Sequence, residues 1–265
     1  MAKYGKWVGG ALGWAFGGPI GAALGFFMGT MFDDNSLSAE ERQTRVSDDR
    51  DPYNRDRHNT RSGDFAASML VLSAAVMKAD GKVLKSELNF VKDYFVRSFG
   101  EEAAEQHILM LRELLKQDLN TRQICEQVRY YMEHSNRLLL MQYLFGIAMA
   151  DGDLDKDEIW TLRTMAHYMG ISNRDFESLL AMFNSGGRSR GPGAPKVSLS
   201  DAYTILEIEA SDDDAAVKSA YRRMAKKYHP DKNRGVGEEH QKMAEAKFIK
   251  VNEAYEAIKD ARGMT

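Results

Sequence analysis

The chain has 265 residues, room for one large or two modest domains, and 39 acidic against 36 basic side chains leave it at a net charge of −3. Bulk electrostatics therefore draw it to no polyanion, and no nucleic-acid partner is expected. Its one cysteine, Cys125, excludes an internal disulfide framework, fits a reducing compartment and leaves no cysteine pairs for zinc.

From Trp7 to Phe32 run 26 residues without a charge, long enough to cross a bilayer as a helix. Gly5, Gly9, Gly13, Gly17, Gly21, Gly25 and Gly29 recur at every fourth position. In water each glycine costs a helix about 0.5–1 kcal/mol relative to alanine, so seven would melt it. In lipid the backbone bonds have no competitor, and a ladder of small residues lets another helix approach closely. Residues 1–32 are thus predicted to form a membrane segment, with Gly9, Gly13, Gly17, Gly21, Gly25 and Gly29 as its packing face and a homodimer as the product. Pro19, near the middle, is placed to kink the helix or turn it into a short hairpin. Lys3 and Lys6 before the span and Arg42, Arg45 and Arg50 after it do not set its orientation.

Residues 33–62 are dense in Asp, Arg, Asn and Ser and read as a solvated spacer. A second spacer, 184–199, holds Gly186, Gly187, Gly191, Pro192, Gly193 and Pro195. Between them, residues 63–183 carry helical stripes, among them Phe65, Met69, Leu72 and Val76, then Leu138, Met141, Phe145 and Met149, and no alternating strand. The segment also echoes itself. Met77 to Leu88 matches Met149 to Ile159, with Asp80 and Asp151, and likewise Glu87 and Glu158, 71 residues apart. Each copy ends a helix, makes an Asp-Gly turn and opens another. Asp155 with Glu158 has capping-box spacing, whereas Leu84 leaves the first box incomplete. The fold class is all-α.

The acidic turns (Asp80 and Glu87; Asp151, Asp153, Asp155 and Glu158) are weak candidates for a divalent cation. An EF-hand counted from Asp151 would need glycine and glutamate where Lys156 and Leu162 stand, so capping explains these residues better. The histidines are scattered, Cys125 falls inside an amphipathic helix, and no phosphate loop or serine elbow exists. No cofactor and no catalytic residue are expected.

In residues 200–265, Val217, Tyr221, Met224 and Tyr228 make one apolar helical face, and Ala244, Phe248, Val251, Tyr255 and Ile258 make another. A polar loop joins them, which predicts an antiparallel helical hairpin. Lys218, Arg222 and Lys226 line a second stripe of the first helix, with Arg223 and Lys227 beside it. Pro230 stops that helix and stiffens a turn presenting His229 and Asp231 next to five cations. Acidic neighbours, Asp212 to Asp214 and Glu238 with Glu239, favour a protein partner with its own acidic surface.

Three stretches carry a specific resemblance: Asp201 to Leu206, Ala220 to Asn233 with its His229-Pro230-Asp231, and Phe248 to Tyr255. Together they resemble the J domain of DnaJ-type co-chaperones. One departure is visible: family members usually carry glycine just after the first helix, where this chain has Glu207-Ile208. The paired Ala-Asp-Gly turns resemble the TerB domain. Membrane segment, TerB-like middle and C-terminal J domain, in that order, resemble the DjlA family of membrane-anchored bacterial DnaJ-like proteins. The resemblance implies a co-chaperone that recruits a DnaK-type chaperone and stimulates its ATPase without chemistry of its own. It implies that His229, Pro230, Asp231, Lys218, Arg222, Arg223, Lys226 and Lys227 contact that partner. It also implies a single-pass protein of the bacterial inner membrane, mostly cytoplasmic, acting on unfolded or membrane-associated clients. The rival expectation is a membrane stress-response scaffold whose TerB-like domain, with or without metal, is the active part.

Overall fold

A computed structural model describes residues 62–78, 81–152, 154–187, 197–229 and 238–264, and six positions further upstream: Gly13, Gly18, Ile20, Gly21, Ala22 and Gly25. Among the described residues from Ser62 onward there are ten α-helices, numbered here in chain order. Those of the middle domain are α1 (Ser62–Met77), α2 (Lys85–Phe99), α3 (Glu101–Leu114), α4 (Thr121–Tyr131), α5 (His134–Ala148), α6 (Lys156–Tyr168) and α7 (Asn173–Gly187). The C-terminal part holds α8 (Leu199–Leu206), α9 (Asp214–Lys227) and α10 (Glu238–Arg262). Every regular element among the described residues is helical, as the absence of alternating stretches predicts.

The centre of the middle domain is α5, which buries residues on all sides, from Leu138 through Phe145 to Ala148. Helices α1, α2, α4, α6 and α7 surround it. The predicted stripe of α1 is fully internal: Phe65, Met69, Leu72 and Val76 are all buried. A polar pair closes this core without loss. The Ser73 hydroxyl donates to the Met69 carbonyl at 2.6 Å, so the Tyr143 hydroxyl, 2.8 Å away, is the donor to Ser73.

The two halves of the internal repeat are α1–α2 and α5–α6, and α1 packs on α5. In the second half Asp155 caps α6, its Oδ1 accepting from the N–H groups of Asp157 and Glu158 at 2.8 Å, while Glu158 reaches back to the Asp155 N–H at 2.9 Å. In the first half only the return bond exists, from the Leu84 N–H to Glu87 at 2.8 Å, because leucine offers no acceptor. Helix α6 ends at Gly170, whose φ of +68° a side chain would resist, and the Ile171 N–H closes back on the Ala166 carbonyl at 2.9 Å.

Upstream, Gly13 and Gly21 meet backbone to backbone: a methyl on either would overlap the other's carbonyl oxygen. Eight residues of straight helix would separate them by about 12 Å. Gly13 and Gly21 therefore do not lie eight residues apart on one straight helix, and Gly18 has φ +60°. The expected membrane helix from Trp7 to Phe32, with Pro19, lies almost wholly outside the described residues. Ile20 is buried, and its N–H donates to Gln127 of α4 at 2.9 Å. Gly9, Gly17 and Gly29 lie outside the described residues. Among the described residues no helix is long and apolar enough to cross a membrane.

Candidate functional site

The site is built on the last three helices. Ser198 starts α8, accepting from the Asp201 N–H at 3.1 Å and donating its hydroxyl to the Asp201 carboxylate at 2.6 Å. Asp213 caps α9 through the Ala216 N–H at 2.7 Å. Helices α9 and α10 pack together with α8 laid across them. Val217, Ala220, Met224 and Tyr228 of α9 bury against Ala244, Val251, Ala254 and Ile258 of α10. The predicted stripes thus form the hairpin, with one refinement. Tyr221 and Tyr255 sit half-buried at the edge, rings stacked 4.3 Å apart, and the Tyr221 hydroxyl donates to Asn252 at 3.0 Å. Arg262 staples the far end, bonding the carbonyls of Ala210 and Asp212 and the Tyr203 hydroxyl.

The predicted cations do not share one environment. Arg222 and Lys226 are exposed, and Lys218 is half-buried on the same stripe. Arg223 is exposed yet tied to α8, donating to the Leu206 carbonyl at 3.1 Å. Lys227 is different in kind. Its side chain is 14% exposed, and its ammonium bonds both Asp175 of α7 and Glu207, the latter at 2.5 Å. His229 is exposed, its ring edge-on to Phe248 at 6.2 Å. Pro230 and Asp231 lie outside the described residues.

Glu207 is the residue that departs from an expected glycine. It alone among described non-glycine residues has positive φ, at +59°. That left-handed backbone ends α8, the Glu207 and Ile208 N–H groups closing on the Thr204 and Tyr203 carbonyls at 3.1 Å. It costs about 1–2 kcal/mol for a side-chain-bearing residue, whose carboxylate here reaches Lys227. Asp175 is fixed by its own neighbours. Ser172 donates to it from hydroxyl and N–H at 2.6 and 3.3 Å, and His134 Nε2 lies 3.5 Å from it. Burial pushes this carboxyl up, but the bonds from His134, Lys227 and Ser172 outweigh burial and hold it well below the usual carboxylate range. Burial also pushes the Tyr228 phenol well up, with Asp175 and Glu207 alongside adding to it.

Further contacts join the J-like hairpin to the middle domain. Ser178 of α7 donates to the Ile205 carbonyl at 2.8 Å, and Gln142 of α5 donates to the Met243 carbonyl at 3.2 Å. Arg97 pairs with Glu239 at 3.2 Å. The Lys247 ammonium is buried 3.8 Å from the centroid of the Phe183 ring. Sequence reasoning did not single out Asp175 or Lys247. Glu207 it did mark, as a departure from glycine.

Of the weak metal candidates, Asp151 is exposed, and Glu87 and Asp155 with Glu158 act as helix caps, while Asp80 and Asp153 lie outside the described residues. Glu87, Asp157 and Glu158 line one small cleft beside Val76 and Ala148. Among the described residues no group of three potential metal ligands converges.

Comparison with known proteins agrees with this layout. Residues 201–263 match the DnaJ domain family, 66–181 the tellurite resistance protein TerB family, and 1–48 the transmembrane domain of the co-chaperone DjlA. The chain is a DnaJ-type co-chaperone whose N-terminal segment is similar to a membrane-anchoring domain. Its parts follow the order of the DjlA-like membrane-anchored co-chaperones, which it resembles end to end. The co-chaperone protein DjlA of Haemophilus influenzae is 25% identical over 99% of both chains, and that of Yersinia pseudotuberculosis 28% identical over 99% of both. The co-chaperone protein DjlA of Coxiella burnetii is 26% identical over 100% of both. No solved structure matches the chain.

Proposed function

We propose that the chain recruits a DnaK-type chaperone to the membrane and stimulates its ATP hydrolysis. The observation that carries the reading is the exposed face of α9, where Arg222 and Lys226 lead to His229 at the mouth of the loop. Cations at this spacing steer an acidic partner surface into register before close contacts form. Lys218, Arg223 and Lys227 extend the patch. Asp231 then pairs with a partner arginine and disturbs the contacts holding the partner's catalytic lobe idle. Pro230 fixes the loop and His229 orients it. The bond chemistry belongs to the partner.

The anchor sits in the bacterial inner membrane with the bulk of the chain in the cytoplasm, where an ATP-using partner works. Of the glycine ladder, Gly13 and Gly21 pack on each other within the chain, which leaves Gly9, Gly17, Gly25 and Gly29 for pairing of two anchors, and the TerB-like domain selects unfolded or membrane-associated clients. Stimulation of a DnaK-type ATPase by the full chain in vesicles, lost on His229→Gln, is the test. Equal hydrolysis with and without the chain refutes the reading.

A further inference from the structure

Lys227 belongs to the recognition patch by sequence, yet it faces inward. Its ammonium is shared between Asp175 of the middle domain and Glu207 of the J-like hairpin. We infer that the TerB-like domain holds the J domain in a self-docked, partly masked state, with Asp175 standing in for an acidic residue of the chaperone partner. The inference rests on the function proposed above and adds regulation to it.

Three independent observations support a latch over a permanent seam. Asp175 is set before Lys227 arrives, since Ser172 and His134 bond it from within its own domain. An acceptor fixed in this way competes well for a cation, because little freedom is lost on pairing. Glu207, at the α8 cap where glycine would sit without strain, places a second carboxylate on the same ammonium. Lastly, the seam carries polar costs that a permanent core avoids. The Gln142 Oε1 is buried there without a hydrogen-bond partner, and Lys247 is buried against an aromatic ring. Such defects keep docked and undocked states close in free energy, which an opposing surface can exploit.

The masking is partial by geometry. Arg222, Lys226 and His229 stay exposed while docked, so a partner can make first contact through them and then draw Lys227 from Asp175. The docked form is thus open to encounter and closed to full engagement.

The test uses the full chain reconstituted in vesicles, as wild type, Asp175→Asn and Glu207→Gly. Asparagine keeps the shape that Ser172 bonds, and glycine relieves the strained backbone, so both variants are suited to fold. Two quantities are read: acylation of Lys227 by an amine reagent, followed by mass spectrometry, and the concentration giving half-maximal stimulation of a DnaK-type ATPase. The latch predicts Lys227 protected in wild type and labelled at least threefold faster in both variants. It also predicts a half-maximal concentration at least threefold lower in the variants. Equal labelling overturns the latch, and so does equal half-maximal concentration in proteins that all stimulate. Absence of stimulation from all three refutes the co-chaperone reading instead, and with it any regulatory role for the contact.

Discussion

Replacing Lys247 by methionine should make the fold more stable at neutral pH and remove a pH dependence that the wild type carries. Lys247 is 5% exposed on α10, packed against α7 through the Phe183 ring. Cation–π attraction at a desolvated site contributes about 2 kcal/mol, whereas effective desolvation of an ammonium costs several kcal/mol, so burial wins. Burial, with Lys250 nearby adding to it, pushes the Lys247 amine down from 10.5 to about 7. The unfolded chain therefore binds more protons than the folded one between about pH 7 and pH 10.5, and stability rises with pH across that window. At about 1.4 kcal/mol per unit, the gain from pH 7 to pH 9 is about 2 kcal/mol, the first half-unit being lost to partial protonation at pH 7. Methionine keeps the stem's volume and drops the charge. Thermal unfolding of both proteins in detergent, followed by far-ultraviolet circular dichroism, gives the difference. The variant's advantage should shrink by about 2 kcal/mol, or about 4–8 °C, between pH 7 and pH 9. The buried Cys125 thiol, pushed up to about 12, acts oppositely above pH 8, but both proteins share it and the comparison cancels it. An advantage that stays constant with pH would refute the argument.

Two packing predictions accompany this one. Asp155→Ala removes the acceptor for two N–H groups at the start of α6 and should cost about 1 kcal/mol, read as a lower melting temperature; an unchanged melt would show that the cap is idle. Gly146→Ala on α5 drives a methyl into the Phe90 ring of α2. Its steric cost of about 1–3 kcal/mol should exceed the propensity gain of about 1 kcal/mol, so a rise in melting temperature would contradict the close packing described here.

The local parts of the fold were legible because they are written in local patterns. Asp155 and Glu158 announce a cap three residues apart, and Val217, Met224, Ala244 and Val251 announce two faces that must cover each other. The long α5 was legible as a helix but not as the centre, since a helix buried on every side has no polar face to mark its orientation. The site divides the same way. Arg222, Lys226 and His229 sit where their spacing places them. Lys227 does not, because its partner Asp175 lies 52 residues upstream and no local pattern reports a pairing across two domains. Lys247 was unreadable for the same reason: a lysine beside Phe248 looks solvated until Phe183 closes over it. Glu207 was the one advance sign, a carboxylate at a position where glycine would be easier.

The central claim is that this chain activates a DnaK-type chaperone through the loop that His229 opens. Single-turnover hydrolysis of ATP bound to such a chaperone, with the vesicle-reconstituted full chain added, tests it most directly. The account predicts acceleration of at least about tenfold, equivalent to about 1.4 kcal/mol off the barrier, and none with His229→Gln. A rate unchanged by the wild-type chain, or accelerated equally by the His229→Gln variant, would contradict it.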